Sequence, residues 1–269
     1  MGILRTINRA TRIAGIDLVQ LVRVWPGLVR YFGEKGRFLA QRAASVDKTF
    51  AVGNLRPCLA DRYEQGGVAS GQYFHQDLLV AQLIYHAGAK RHVDVGSRVD
   101  GFVAHVAVFC EVEVLDIRPI QSRARNITFR AIDIMNPGAD LYDYAASLSC
   151  LHALEHFGLG RYGDPIDYSG HRQGFATLAR MVRVGGVFYF SVPISERQRF
   201  EFNAHRIFSI PYLLKMFDEF GFEVKGFHYV DDAGDLHESQ DHQSETAKNS
   251  FGLSHGCGIF ELTKHAVGG

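Results

Sequence analysis

Cysteine is scarce in this chain. Cys58, Cys110, Cys150 and Cys257 are the only four in 269 residues, and no two stand at metal-ligand spacing. That argues against a cysteine-ligated metal and for a reducing compartment, hence a cytoplasmic protein. A charge excess is also lacking: 29 Lys and Arg balance 29 Asp and Glu, so overall charge recommends no nucleic-acid partner. No run of 18 apolar residues occurs, which excludes a spanning helix of the ordinary kind. Charges interrupt the N-terminal apolar stretch, so it does not read as a signal peptide. What remains is ordinary globular material, 46% apolar and 22% charged.

The first 43 residues stand apart. They hold eight basic residues (Arg5, Arg9, Arg12, Arg23, Arg30, Lys35, Arg37, Arg42) against Asp17 and Glu34, interleaved with aliphatic residues and Trp25. This pattern predicts one or two basic amphipathic helices. They could lie on an anionic membrane surface, or simply cap the main domain or a second subunit in a homodimer. The expected division is therefore a helical extension over 1–60 and a main domain over 61–269.

Glycine and proline punctuate the rest. "QYFHQDLLVAQLIYHAG" predicts a helix with Phe74, Leu78, Ala81, Gln82 and Tyr85 on one face and Gly88 at its end. His92 to Val95 predicts a buried strand feeding the turn at Gly96, and "GFVAHVAVFC" a helix after it. "EVEVLDI", "ITFRAIDI" and "YDYAASLSC" predict strands, the first ending on Asp116, the second carrying Asp133 at its end and the third ending at Cys150. "HRQGFATLARMVRVGG" predicts an amphipathic helix stopped by Gly185-Gly186, "VFYFSVPI" a strand and "IPYLLKMFDEFG" a helix. "FEVKGFHYV" and "GCGIFELTK" predict two last strands joined by a polar loop, Asp231 to Ser250. Alternating strands and helices imply an α/β class with a doubly wound, Rossmann-like parallel sheet, and the tight return at the end makes the final strand antiparallel.

The turn Asp94-Val95-Gly96-Ser97-Arg98-Val99-Asp100-Gly101 decides which ligand such a sheet would hold. Ligands of open α/β sheets bind beyond the carboxyl ends of the strands. A dinucleotide fingerprint needs further glycines, so that a pyrophosphate can approach backbone at a helix N-terminus. Here Arg98 and Asp100 take those places, and Asp94 and Asp100 would repel a diphosphate. A nucleoside ligand without phosphate, such as S-adenosylmethionine, is compatible with them. Asp116 lies 20 residues beyond Gly96 and is placed to accept both ribose hydroxyls.

"LHALEHFG" contains H-x-x-E-H: His152, Glu155 and His156. On a helix this spacing could put two histidines on zinc, with the glutamate as general base. No downstream third ligand stands out, so no metal is expected. "GLGRYGDPID" follows, a glycine-rich loop with Arg161, Tyr162 and Asp164 that predicts a cleft lining. Asn203, His205 and Arg206 come just after the fifth predicted strand.

Together "YFHQDLLVAQ", "HVDVGSRVDGFVAHV", "LDIRP", "LSCLHALEHFGLGRYGDPID" and "FNAHRIFS" resemble the domain-of-unknown-function 268 family, over roughly Gln72 to Val230. That family is similar to class I S-adenosylmethionine-dependent methyltransferases, and some of its members are associated with surface-polysaccharide assembly. The resemblance implies S-adenosylmethionine as cofactor. It implies a cofactor-binding set of Asp94, Gly96, Ser97, Arg98, Gly101, Asp116, Ile117, Asp133, Cys150, Leu151 and His152, with Asp133 at the adenine amino group. The expected activity is methylation of a hydroxyl on a small molecule or saccharide. His156 and His205 are the candidate bases, Glu155 or Asp164 would orient the imidazole, and Arg161 and Tyr162 would position the acceptor. Two other readings stay open: a non-catalytic binding or scaffold module, and a zinc hydrolase.

Overall fold

The computed structural model describes residues 11, 15, 18–59, 62, 66–121, 123–138 and 141–265. The chain divides into two compact units, Met1–Val68 and Ala69–Gly269. The first contains a long helix, α1 (Leu18–Ala44), with Pro26 inside it and extended chain after it. Most of the stretch before α1, and much of the chain around the expected boundary at 60/61, lie outside the described residues. Among the described residues no helix is long and apolar enough to cross a membrane.

Among the described residues the second unit is built on ten strands: β1 (Arg91–Val95), β2 (Glu111–Asp116), β3 (Ile127–Ala131), β4 (Ala145–Leu151), β5 (Val182–Ile194), β6 (Arg199–Glu201), β7 (His205–Ile207), β8 (Phe222–Val230), β9 (Leu236–His237) and β10 (Gly256–Lys264). Eight form one sheet in the order β3-β2-β1-β4-β5-β10-β8-β9, and β6 and β7 make a separate hairpin. β1 to β5 pair in parallel, and β10 runs antiparallel between β5 and β8. This is the expected doubly wound sheet closed by a terminal antiparallel strand. Its helices are α2 (Gln72–His86), α3 (Ala104–Val106), α4 (Gly170–Met181), α5 (Ile210–Glu219) and α6 (Glu245–Lys248).

Side-chain alternation along β5 divides the core. Phe188, Phe190 and Val192 point to one face, under Phe175 of α4 and Phe217 of α5, while Tyr189 points to the other, under Val80 and Ile84 of α2. Phe175 has five phenylalanine rings within 5.9 Å of its own, an aromatic cluster within that face.

Four elements depart from expectation. Helix α2 turns the other way: Phe74, Leu78 and Tyr85 are exposed, and Leu79, Val80, Ala81 and Ile84 are buried with Gln76 and Asp77. The helix is apolar around most of its girth, so two faces satisfy a 3.6 period, and docking on Phe102, Val103 and Val106 selects between them. α4 stops at Met181, and the next four residues already belong to β5, with Gly185 and Gly186 in a bulge where Ala145 pairs with Val182 and Ser147 with Val187. The segment after Gly96 is a short helix, π-helical over Val99–Val103 and α-helical over α3, and it stops before the end of the expected "GFVAHVAVFC" helix. The polar 231–250 segment is not an open loop. It adds β9 to the sheet edge, and Ser244 caps α6 by accepting from Ala247 N–H at 3.2 Å.

Candidate functional site

A cleft opens at the carboxyl ends of β1 to β4, with a cavity volume of about 80 Å³, below the ~300–1,000 Å³ of common ligand sites. Gly96, Asp116, Ile117, Arg118, Asp133, Met135, His152, His156, Phe157, Tyr162 and Asp164 line it.

The turn after β1 is built to be tight. Gly96 has φ +72°, and a Cβ there would meet the Cβ of Ala153 at 3.0 Å. Beneath it Asp94 is fully buried and does not face the cleft. One of its oxygens accepts from the hydroxyls of Ser97 and Ser149, and the other from Ser97 N–H at 3.1 Å. Burial pushes its carboxyl up to about 6. Asp94 thus shapes the turn from below. Ser97 is held in the same network and accepts from Leu151 N–H at 3.3 Å. Arg98 pairs with Asp100 at the surface, 2.9 Å apart, with its guanidinium 5.5 Å from the Tyr73 ring centre. Gly101 packs so close to Asp77 that a Cβ would run into its carboxylate. Cys150 belongs to the core. Asp94, Ser97, Arg98, Gly101, Cys150 and Leu151, all expected to touch a cofactor, therefore fall outside the cleft lining. Apart from the exposed Arg98, they are buried or half-buried.

Asp116 and Asp133 do share the hollow. Asp116 ends β2, whereas Asp133 stands two residues past the end of β3. Asp133 Oδ1 accepts from Met135 N–H at 2.9 Å, a local turn bond. Asp116 is only 7% exposed, and its carboxylate takes Arg118 N–H at 2.8 Å, Nε at 3.0 Å and a terminal guanidinium nitrogen at 2.7 Å. Ile132, Ile134, Met135 and Phe157 give the cleft an apolar wall.

The H-x-x-E-H residues take a shape that spacing alone does not show. His152 has φ +50° and precedes a single 3₁₀ turn, Leu154–His156, instead of lying on a helix. Glu155 bonds His152 Nδ1 at 2.9 Å and lies 3.7 Å from His156 Nε2. Burial disfavours charge on His152, but Cys257 and the Glu155 carboxylate outweigh it and hold the imidazole above its usual value; burial likewise opposes ionised Glu155, and His152 keeps its carboxyl low. The two form a buried ion pair. His152 Nε2 and Glu155 Oε2 have no hydrogen-bond partner. Among the described residues no group of three or more His, Cys, Asp or Glu is arranged to hold a metal ion.

His156 is oriented by the β6–β7 turn, not by a carboxylate. Its Nδ1 lies 2.7 Å from Ala204 O, so that nitrogen carries the proton and Nε2 is the acceptor. Burial holds the imidazole below its ordinary value, which keeps it neutral near pH 7. Asp164, expected as an orienting carboxylate, is used up locally: it accepts from Gly158 N–H at 2.8 Å, Gly160 N–H at 3.1 Å and Tyr162 N–H at 3.2 Å. His205 lies outside the lining, 3.4 Å from His255 Nε2 and 3.5 Å from Glu201. Arg206 is 7% exposed and donates to Phe157 O at 2.6 Å and Tyr168 O at 3.0 Å, pinning both ends of the glycine-rich loop. Arg118, Met135, Phe157 and the Ala204 carbonyl were not singled out from the sequence. Only Arg118 had a readable signal, standing two residues after Asp116 and so within reach of it.

Comparison with known proteins fits this architecture. Residues 105–252 match the family described as "Caenorhabditis protein of unknown function, DUF268". That is more than half of the chain, and the protein belongs to this family. No curated protein matches the chain in sequence. A Galdieria sulphuraria protein assigned as a sarcosine dimethylglycine methyltransferase superposes with a TM-score of 0.50 at 14% identity, covering 71% of this chain and 85% of its own. An S-adenosylmethionine-dependent methyltransferase from Clostridium acetobutylicum gives 0.49 at 11% identity, covering 74% and 94%. The N-methyltransferase NodS of Bradyrhizobium japonicum, solved with S-adenosylhomocysteine, gives 0.48 at 13% identity, covering 72% and 88%. The fold is that of the class I methyltransferases.

Proposed function

We propose that the chain binds S-adenosylmethionine in this cleft and methylates a hydroxyl of a small molecule. The observation that supports it most is the joint placement of Asp116 and Asp133 on one hollow beside the Gly96 turn. Two carboxylates at neighbouring strand ends suit a ribose diol and an adenine amino group. The apolar wall of Ile134, Met135 and Phe157 suits the flat face of a base. The helix after the turn is short and carries Asp100 in its first turn, which disfavours a pyrophosphate there. His152 lines the cleft with its Nε2 unpartnered and its charge held by the buried Glu155, which suits the carboxylate of an amino-acid group.

When bound, the cofactor supplies an electrophilic methyl group. The chain must then align the acceptor oxygen and take its proton as the new bond forms. His156 is the candidate base: its Nδ1 is committed to Ala204, which leaves Nε2, 3.7 Å from the Glu155 carboxylate, as the acceptor. Such a base contributes typically ~10²–10⁴-fold. Tyr162 packs edge-on against His156 with ring centres 5.4 Å apart, and Arg161 donates to the same Ala204 carbonyl at 2.9 Å. Together they frame the acceptor side. The direct test is release of S-adenosylhomocysteine on incubation with S-adenosylmethionine and a panel of hydroxyl-bearing acceptors. Release above the acceptor-free rate supports the reading. A protein that binds the cofactor but turns over none of them would instead be a binding module, the reading that Arg98 in the turn favours.

A further inference from the structure

Asp116 already has a partner. Arg118 closes a fork on it: Nε and a terminal nitrogen reach its carboxylate at 3.0 and 2.7 Å, and the backbone N–H adds a third bond at 2.8 Å. The same guanidinium sits 4.4 Å from the ring centre of Tyr162, across the mouth of the same cleft. Asp116 is nearly buried while Arg118 keeps 51% of its side chain exposed. The carboxylate is therefore fixed, and the arginine is the partner that can swing into solvent.

We propose that Arg118 is a built-in competitor for the ribose hydroxyls, which closes the cleft until a nucleoside displaces it from Asp116. This rests on the nucleoside reading above. A ribose diol needs both carboxylate oxygens, and Arg118 occupies both through its side chain. The backbone N–H of Arg118 can stay bonded to Oδ1 in either state, so entry costs only the side-chain fork and its stacking on Tyr162. A ligand that binds only the open form has its affinity reduced by the fraction of molecules that are open. A half-exposed charged fork stabilises by a modest amount. Removing it should tighten binding about five- to tenfold.

The experiment is calorimetric titration of the full chain and of Arg118→Met, which keeps the stem but not the charge. The probes are S-adenosylhomocysteine, adenosine and 2′,3′-dideoxyadenosine. The variant is expected to bind the first two about five- to tenfold more tightly and the dideoxy compound no better. Arginine Nε resonances supply a second readout: the Arg118 signal should move to that of a solvated guanidinium on saturation with S-adenosylhomocysteine. Equal or weaker binding by Arg118→Met overturns the competition and leaves the cofactor reading standing. The same gain with the dideoxy compound also overturns it, since Arg118 would then merely fill space. No binding of S-adenosylhomocysteine by either protein overturns both.

Discussion

Single side chains decide the chemistry, and in the proposed reaction His156 is the one on which turnover would depend. Its neutrality comes from burial, and its tautomer from one carbonyl on a hairpin 48 residues away. His156→Ala should leave S-adenosylhomocysteine binding within about threefold while cutting the rate ~10²–10⁴-fold. Calorimetry and product release measured on one preparation separate the two effects. An equal rate in the variant would move the base elsewhere. Asp116, Asp133, His152 and His156 were legible, because strand ends and a short polar motif mark them. The jobs of Asp94, Glu155 and Asp164 were not. Each has a plausible partner in sequence, but bonds formed only in the folded chain commit them to Ser149, His152 and the Gly158–Tyr162 backbone.

At the scale of elements, the glycine-rich loop from Gly158 to Tyr168 is held rigidly. Gly158 has φ +78°, and a Cβ there would run into the carbonyl of Asp167. Its own carbonyl accepts from Asp167 N–H at 2.9 Å, which closes the loop at its base. Gly158→Ala combines backbone strain with a steric clash and should destabilise by about 2–4 kcal/mol. Thermal melts would show this, and an unchanged melting temperature would mean that the loop is looser than described. The strands were legible almost to the residue where apolar β-branched and aromatic runs meet glycine. Helix α2 was legible in extent but not in orientation, since its outer face is nearly as apolar as its inner one. The bulge at Gly185-Gly186 hid the start of β5, because "MVRV" continues a helical pattern and an alternating one equally well.

Across the whole molecule, buried titratable groups set how stability depends on pH. His92 is fully buried between the hydroxyls of Ser147 and Ser149, each 2.8 Å away, and burial pushes its imidazole from 6.5 down to about 3. His171 is pushed down to about 4 by the same cause. A depressed folded value means that the stabilising contribution is present above pH 6.5 and is lost as pH falls toward 3. For His92 alone the loss is on the order of 4 kcal/mol over that range. Asp94 works in the opposite sense. Its carboxyl is raised from 3.8 to about 6, so its contribution is full below 3.8 and is lost as pH rises through 6. The two histidines outweigh it, so denaturant melts should show falling stability from pH 6.5 to 4. His92→Gln should flatten that slope; an equally steep slope in the variant would locate the acid sensitivity elsewhere.

The architecture of this unit places two carboxylates, a glycine turn and an apolar wall on one cleft, and everything functional depends on that cleft holding a phosphate-free nucleoside. Calorimetric titration of S-adenosylhomocysteine into the native chain and into an Asp116→Ala, Asp133→Ala variant tests this most directly. One-to-one binding by the native chain, weakened at least about a hundredfold in the variant, is the predicted result, since each of the two lost charged hydrogen bonds is worth ~1.5–3 kcal/mol. No heat at millimolar ligand, or equal affinity in both proteins, would contradict it.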